Sequence, residues 1–107
     1  MWIISYLILT LKYQHFCLLA ETLRMYPPGG AVDRLCTKRY TLKADPPLEM
    51  FPGDNLFIPI LGLHRDPKYY DDPEKFNPER FSDENKHKIH PFTYLPFGVG
   101  PRSCIGK

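Results

Sequence analysis

A single cysteine near the end of the chain lies in a segment with the residue types of a metal-binding loop. Residues 97–106 read Phe-Gly-Val-Gly-Pro-Arg-Ser-Cys-Ile-Gly. The glycines permit a positive φ and the close approach of another group, and Pro101 fixes φ and removes an N–H donor. Such a loop can present the sulfur of Cys104 outward while its N–H groups point back at it. Hydrogen bonds and a nearby cation, here Arg102, favour the thiolate, which is the form that binds metal.

One thiolate restricts the kind of metal centre that this loop can serve. A bare zinc ion or an iron–sulfur cluster takes several protein ligands. Haem iron with an axial cysteine needs only one from the protein, because its other positions are already filled. The alternative is that Cys104 is a small buried hydrophobic residue, the usual environment of a free cysteine. Taken alone, Cys104 leaves both interpretations open.

Size and composition exclude several classes of protein. The 107 residues suffice for one domain, and 43% hydrophobic and 24% charged residues are typical of globular proteins. Twelve prolines favour irregular loops and short elements. A net charge of +2 without a basic stripe gives no indication of nucleic-acid binding. Three cysteines without a Cys-x-x-Cys pair argue against a disulfide framework or zinc module and favour a reducing compartment.

The elements that must position this loop are a helix and short strands. Leu19 and Leu23, with Glu21 and Arg24 on a neighbouring face, predict a helix over residues 16–26 that the Pro-Pro-Gly-Gly run at 27–30 ends. Residues 31–36, 39–42 and 55–58 have strand composition, and Pro46-Pro47 and Pro52-Gly53-Asp54 mark turns between the second run and the third. They predict one small antiparallel sheet.

The first eleven residues are apolar all round. This run is shorter than the ~20 apolar residues that cross a bilayer, and it lacks the basic start and cleavage site of a signal peptide. We therefore predict the start of a buried or interfacial helix. A membrane anchor and a segment foreign to the fold are the alternatives.

The pattern Phe-x-x-Gly-x-Arg-x-Cys-x-Gly at 97–106 resembles the haem-binding signature of the cytochrome P-450 family, the haem-thiolate monooxygenases, at every fixed position. Two further motifs occur in the family order. They are Glu21-x-x-Arg24 followed by Tyr-Pro-Pro, and the Pro-Glu-Arg-Phe segment that contains Arg80. In the family these three charged groups join, and a carboxylate between two guanidiniums can be held bidentately. The resemblance implies that Glu21, Arg24 and Arg80 form a structural triad that braces the cysteine loop.

The resemblance also implies a fold and its extent. The parent fold is mixed α+β and mainly α, and this chain is expected to hold the Glu-x-x-Arg helix, a small antiparallel sheet, the meander and the Cys-ligand loop. Residues 17–107 are expected to form the C-terminal haem-binding part of a single incomplete domain, preceded by an atypical apolar segment, 1–16. The segments at 64–67 and 72–76, which lie between these motifs, resemble the sequences of microsomal members of the family, particularly those of insects. The family's oxygen-activating helix and the helix after the cysteine loop are not in this chain.

By resemblance, the function is insertion of one oxygen atom from dioxygen into a lipophilic small molecule. The cofactor is heme b, and the electrons come from NADPH through a reductase. Cys104 is the implied axial iron ligand, Arg34 and Arg102 are the implied partners of the haem propionates, and Phe97 covers the sulfur. The implied location is the cytoplasmic face of the endoplasmic reticulum membrane. The alternative function is a truncated, non-catalytic fragment that does not fold or bind haem on its own.

Some residues keep two interpretations. Arg34 is either a propionate partner or an exposed strand charge. His64 is either a ligand or acid–base group, or the end of a helix packed against a loop. Lys86 and Lys88 either dock an acidic redox partner or form a solvated face. By the same resemblance, residues 29–32 border the substrate pocket.

Overall fold

The part of the chain that the structure describes contains two α-helices, four short strands and two 3₁₀ turns. The computed structural model describes residues 2–106, apart from the side chains at positions 2 and 6, so the predictions that reach Met1 and Lys107 lie partly outside the described residues. The elements, in chain order, are α1 (Trp2–Met25), β1 (Val32–Leu35), β2 (Tyr40–Leu42), β3 (Leu48–Met50), β4 (Asn55–Ile58), α2 (Ile60–His64) and the 3₁₀ turns Pro78–Phe81 and Lys86–Lys88. This content agrees with the mixed α+β class predicted from the sequence.

Helix α1 begins much earlier than the pattern at residues 16–26 predicted. It is continuous over 24 residues, because no glycine or proline interrupts the chain before Pro27. It ends there because a residue that precedes proline is disfavoured in the helical region and Pro27 has no N–H to donate. The apolar run of residues 1–11 and the predicted helix are therefore parts of one element.

Burial divides α1 into two halves. Cys17, Ala20 and Met25 are buried, whereas Ile3 is 81% exposed and the other described side chains before residue 17 are also exposed. Of the predicted buried or interfacial helix start, the buried alternative is therefore wrong, and the interfacial one stays a prediction. By length and composition, Ile3–Met25 is long and apolar enough to cross a membrane, with a mean hydropathy of 1.4. The apolar stretch is longer than predicted because the helix continues past Leu11.

The strands form two separate two-stranded sheets, not the single sheet that we predicted. In one, β1 pairs antiparallel with β4 so that Val32 lies opposite Ile58. In the other, β2 pairs antiparallel with β3 so that Tyr40 lies opposite Met50. Strand β3 was missed because its short Leu-Glu-Met run directly follows the Pro-Pro pair and lacks β-branched and aromatic residues.

The core lies between the second half of α1 and the irregular segment after α2. Cys17 and Ala20 pack with Phe81 of the first 3₁₀ turn, and Ile89 and Tyr94 are partly buried against them. Helix α1 also contacts α2. This packing places the approach to the cysteine loop beside the face of α1 that carries Glu21 and Arg24.

Candidate functional site

The segment around Cys104 is a closed loop held by its own backbone. Gly98 and Gly100 have φ of 69° and 85°, a conformation that glycine adopts without steric strain. The N–H of Cys104 donates to the carbonyl of Phe97 at 2.9 Å, and the N–H of Ser103 donates to the carbonyl of Gly100 at 3.0 Å. The loop therefore presents Cys104 at a fixed point between two glycine-containing turns.

The thiol of Cys104 is exposed, whereas Cys17 is buried and Cys36 is partly buried. The interpretation of Cys104 as a buried hydrophobic residue is therefore wrong. A Cβ at Gly106 would be in ordinary van der Waals contact with the Cys104 sulfur, at 4.0 Å. An accessible single sulfur fits a metal that takes one ligand from the protein.

The sequence predicted two features around the Cys104 sulfur, namely backbone N–H groups directed at it and Phe97 as its cover. Among residues 2–106, no hydrogen bond reaches the Cys104 sulfur, so the expectation that loop N–H groups point at it is wrong for this structure. The N–H of Cys104 itself binds the carbonyl of Phe97 instead. Phe97 is half-buried, and its role as a cover for the sulfur stays a prediction.

The two arginines expected to bind carboxylates of the haem are both exposed. Arg34 lies on β1, and its Nη1 donates to the carbonyl of Asp33 at 2.7 Å. Arg102 lies two residues before Cys104 in the loop. No ion pair joins either arginine to an acidic side chain in the described part of the chain. Both guanidiniums are accessible to an anionic partner, and their assignment stays a prediction.

Glu21 and Arg24 of α1 and Arg80 of the first 3₁₀ turn lie together. The Glu21 carboxylate receives a bidentate pair from Arg24, with Nε–Oε2 and Nη2–Oε1 both at 2.8 Å. The Nε of Arg80 is 3.5 Å from Glu21 Oε1, and the N–H of Asn77 donates to the same oxygen at 2.9 Å. The Glu21 and Arg24 side chains are completely buried. Arg24 and Arg80 thus both contact the Glu21 carboxylate, and the three residues predicted as a triad lie together.

Backbone carbonyls accept further hydrogen bonds from the guanidiniums of Arg24 and Arg80. Arg24 Nη1 donates to the carbonyl of His64 at 2.7 Å, and Nη2 donates to that of Pro73 at 2.8 Å. Arg80 Nη2 donates to the carbonyl of Asp72 at 2.9 Å. Since buried charges need such partners to offset their desolvation, the network fixes the end of α2 and residues 72–80 against α1.

His64 is a fully buried member of this network rather than a free acid or base. Its Nε2 accepts a hydrogen bond from the N–H of Leu95 at 2.8 Å. Nδ1 therefore carries the proton and donates to the carbonyl of Arg24 at 3.0 Å. Burial, and to a smaller extent the charge of Arg24, lowers the pKa of His64 and keeps the ring neutral. The structural interpretation of His64 holds, but as a neutral ring rather than a cation at a helix end.

Sequence reasoning missed the contributions of Tyr70 and Tyr94. The hydroxyl of Tyr94 donates to the carbonyl of Ala20 at 2.9 Å, and its ring stacks on that of His64 with centroids 5.4 Å apart. Tyr70 lies under Arg24, with the guanidinium carbon 5.2 Å from its ring centroid. Burial raises the pKa of both hydroxyls. The signal in the sequence was an aromatic residue with a polar tip in each proline-flanked segment.

The remaining candidates lie at the surface. Lys86 Nζ is 2.5 Å from an Asp83 carboxylate oxygen, and Lys88 Nζ donates to Asn85 Oδ1 at 2.8 Å. Both lysines are exposed, as on a solvated face, and a docking role for them stays a prediction. Within residues 2–106, no group of three or more His, Cys, Asp or Glu side chains is placed to hold a metal ion.

Comparison with known proteins identifies the family. The model of the family described as Cytochrome P450 matches residues 12–107. The chain belongs to the cytochrome P450 family. Cytochrome P450 9e2 of Blattella germanica is 61% identical over 87 residues, which are 81% of this chain and 16% of the relative. Cytochrome P450 9b2 of Drosophila melanogaster is 52% identical over 91 residues, covering 82% of this chain and 18% of the relative.

The similarity extends beyond insect cytochromes P450. Cytochrome P450 3A1 of Rattus norvegicus is 50% identical over 88 residues, which are 82% of this chain and 17% of the relative. The chain thus spans about one sixth of the length of the curated relatives it matches. Residues 1–11 precede the range matched by the cytochrome P450 model, whereas Glu21, Arg24, Arg80 and Cys104 lie within it.

Proposed function

We propose that this chain supplies the proximal haem-binding part of a haem-thiolate monooxygenase, in which Cys104 would supply the thiolate that binds the iron of heme b. The observation that carries the proposal is the exposed sulfur of Cys104, held in a closed loop inside the matched range. The loop offers one accessible sulfur donor. This is the requirement of a metal that already has its other ligands.

When bound, the haem supplies the activation of dioxygen from which one oxygen atom enters a lipophilic small molecule, with electrons from NADPH through a reductase. The chain's own residues hold and orient that group. Cys104 gives the thiolate, Arg34 and Arg102 offer positive charge to the propionates, and Phe97 excludes water from the sulfur. Residues 29–32, which connect α1 to β1, border the substrate pocket.

The triad has a bracing role in this proposal. Glu21 joins α1 to residues 77–80 through Arg80 and Asn77, and Arg24 joins α1 to the end of α2. These bonds connect segments far apart in the chain to the helix against which the approach to the cysteine loop packs. The triad thereby holds the loop in place without contacting the iron.

We further propose that the parent protein lies at the cytoplasmic face of the endoplasmic reticulum membrane, where a lipophilic substrate and a reductase are both accessible. The exposed apolar side chains of the first half of α1 support a membrane surface as the neighbour of this segment.

A second candidate concerns the 107-residue polypeptide taken by itself, as a non-catalytic fragment. It is favoured by the large apolar side chains that are exposed next to one another along the first half of α1, including Ile3, Ile4 and Leu7. Surfaces of this kind promote association rather than a stable monomer.

Titration of the purified chain with haem, followed by reduction and addition of carbon monoxide, separates the two candidates. A red-shifted, thiolate-type Soret band would support ligation by Cys104. No band, or a band typical of imidazole ligation, would contradict haem-thiolate binding by this chain and support the fragment.

A further inference from the structure

A series of hydrogen bonds connects the backbone carbonyl of Arg24 on α1 with the backbone N–H of Cys104. The carbonyl of Arg24 accepts from His64 Nδ1 at 3.0 Å, and His64 Nε2 accepts from the N–H of Leu95 at 2.8 Å. The carbonyl of Leu95 then accepts from the N–H of Gly98 at 3.2 Å. In the same turn, the carbonyl of Phe97 accepts from the N–H of Cys104 at 2.9 Å. His64 is the one side chain in this series.

The imidazole of His64 has contacts at both ring nitrogens and at its ring face. Arg24 and His64 are joined by two hydrogen bonds. The guanidinium of Arg24 donates to the carbonyl of His64, and the carbonyl of Arg24 accepts from the ring of His64. Tyr94 stacks on the ring at 25°, and its hydroxyl binds the carbonyl of Ala20 on α1. Immediately before the cysteine loop begins, Tyr94 therefore binds α1 directly, and Leu95 is linked to α1 through the ring of His64.

Only a neutral imidazole with the proton on Nδ1 satisfies both neighbours. The ring must accept from one backbone N–H and donate to one backbone carbonyl on its opposite side. An imidazolium would place an N–H against the N–H of Leu95 and lose that bond. The other neutral tautomer would oppose two donors at Leu95 and two acceptors at Arg24. A buried mismatch of this kind costs the desolvation of both groups.

We propose that His64 is a positioning residue for the Cys104 loop, in which the neutral ring joins Leu95 to α1 and so fixes the point from which the loop starts. The proposal rests on the proposed function, because the position of the loop matters for chemistry when Cys104 is the iron ligand. His64 touches neither the sulfur nor the haem in this proposal. It acts through Leu95 and the backbone bonds of residues 95–104.

Five variants test this role by substitution of matched groups. His64→Phe keeps an aromatic ring against Tyr94 and removes both ring hydrogen bonds. His64→Gln can place a carbonyl oxygen near the position of Nε2 and so accept from Leu95, whereas the shorter His64→Asn cannot reach it. Tyr94→Phe removes the other contact with α1 and leaves the His64 bonds in place. His87→Phe, at an exposed position, controls for the loss of a histidine.

The first readout is nuclear magnetic resonance of the haem-free full chain. The ring nitrogens of His64 are expected to show the Nδ1-protonated neutral tautomer. In His64→Phe, exchange of the Leu95 amide hydrogen should accelerate roughly tenfold, since one buried hydrogen bond is lost. His64→Gln should restore most of the protection, and Tyr94→Phe and His87→Phe should leave it near the wild-type value. The opposite tautomer, or unchanged Leu95 exchange in His64→Phe, would overturn the proposal.

If His64→Phe fails to fold, the comparison of Gln with Asn decides the question. Slower Leu95 exchange in His64→Gln than in His64→Asn supports a bond at the Nε2 position. Equal exchange in the two variants contradicts it.

The second readout is the thiolate-type carbon monoxide band of the haem-loaded chain. We expect a smaller share of thiolate-ligated haem in His64→Phe and its recovery in His64→Gln, which a general loss of packing would not produce. A missing band in the wild type, together with the expected Leu95 exchange, would refute the proposed function and retain the link to α1. A normal band in every variant, with unchanged Leu95 exchange, would refute the role of His64 alone.

Discussion

Replacement of Glu21 by glutamine tests how strongly the buried triad holds the structure. The substitution keeps the shape of the side chain and removes its charge. Glu21 accepts two bonds from Arg24 and one from the N–H of Asn77, and it lies beside Arg80. A glutamine amide has one oxygen, so its NH₂ group must face an N–H of Arg24 or the N–H of Asn77. Two guanidiniums would then remain buried without a negative partner.

The expected loss is large because these groups are shielded from water. Removal of one partner from a buried ion pair costs about 3–5 kcal/mol of the free energy of unfolding. In a domain of this size each kcal/mol lowers the melting temperature by roughly 4–8 °C, so Glu21→Gln should lower it by roughly 12 °C or more. Failure of the variant to fold would agree with the same reasoning, since the whole free energy of unfolding of a domain is about 5–15 kcal/mol.

The chain offers a matched control. Glu49 pairs with Arg39 at 2.8 Å, the same N–O distance as in the Glu21–Arg24 pair, but these side chains are 47% and 66% exposed. Glu49→Gln should change the free energy of unfolding by about 0–1 kcal/mol, because exposed pairs are screened by solvent. Urea denaturation of both variants, followed by circular dichroism, measures the difference. Losses of equal size in the two variants, or a loss below ~1 kcal/mol for Glu21→Gln, would refute the reasoning.

Two further predictions follow from the same network. Arg80→Ala removes the bond to Asp72 and the 3.5 Å contact with Glu21, but leaves the bidentate pair intact, so we expect a loss of about 1.5–3 kcal/mol and lower haem retention. Unchanged melting temperature and haem content would contradict this. The lowered pKa of His64 predicts that the folded chain binds fewer protons than the unfolded chain below pH 6.5. The free energy of unfolding should therefore fall as the pH decreases from 6.5 towards the folded pKa. His64→Phe should remove this part of the pH dependence in urea titrations, and an identical pH dependence in the variant would refute the assignment.

The sequence was most informative where motifs or turn residues constrain the chain locally. The runs at 31–36, 39–42 and 55–58 correspond to β1, β2 and β4, because each has strand composition and a proline or glycine turn on at least one side. The end of α1 was also predictable, since Pro27 and Pro28 prevent its continuation. The juxtaposition of Glu21 with Arg80, across 59 residues of sequence, was accessible only through the resemblance. No local pattern specifies such a distant contact.

The errors concern properties that depend on tertiary packing. The helix start predicted over the first eleven residues was not joined to the helix predicted over 16–26, because an apolar run gives no amphipathic period to follow along the chain. The separation into two sheets depends on which strands pair, and β3 has too little strand character to be recognised alone. The charge state of His64 depends on Leu95 and Arg24, which are far from it in the chain. Burial, rather than the position at a helix end, decides that state.

The central claim is that Cys104 is the thiolate ligand of haem. Its most direct test is the carbon monoxide spectrum of the reduced, haem-loaded chain with Cys104→Ser, compared with Cys36→Ser as a matched control on another cysteine. The account predicts that Cys104→Ser abolishes the thiolate-type Soret band of the wild type and that Cys36→Ser retains it. A thiolate band that persists in Cys104→Ser, or one that is lost in Cys36→Ser alone, would contradict the claim.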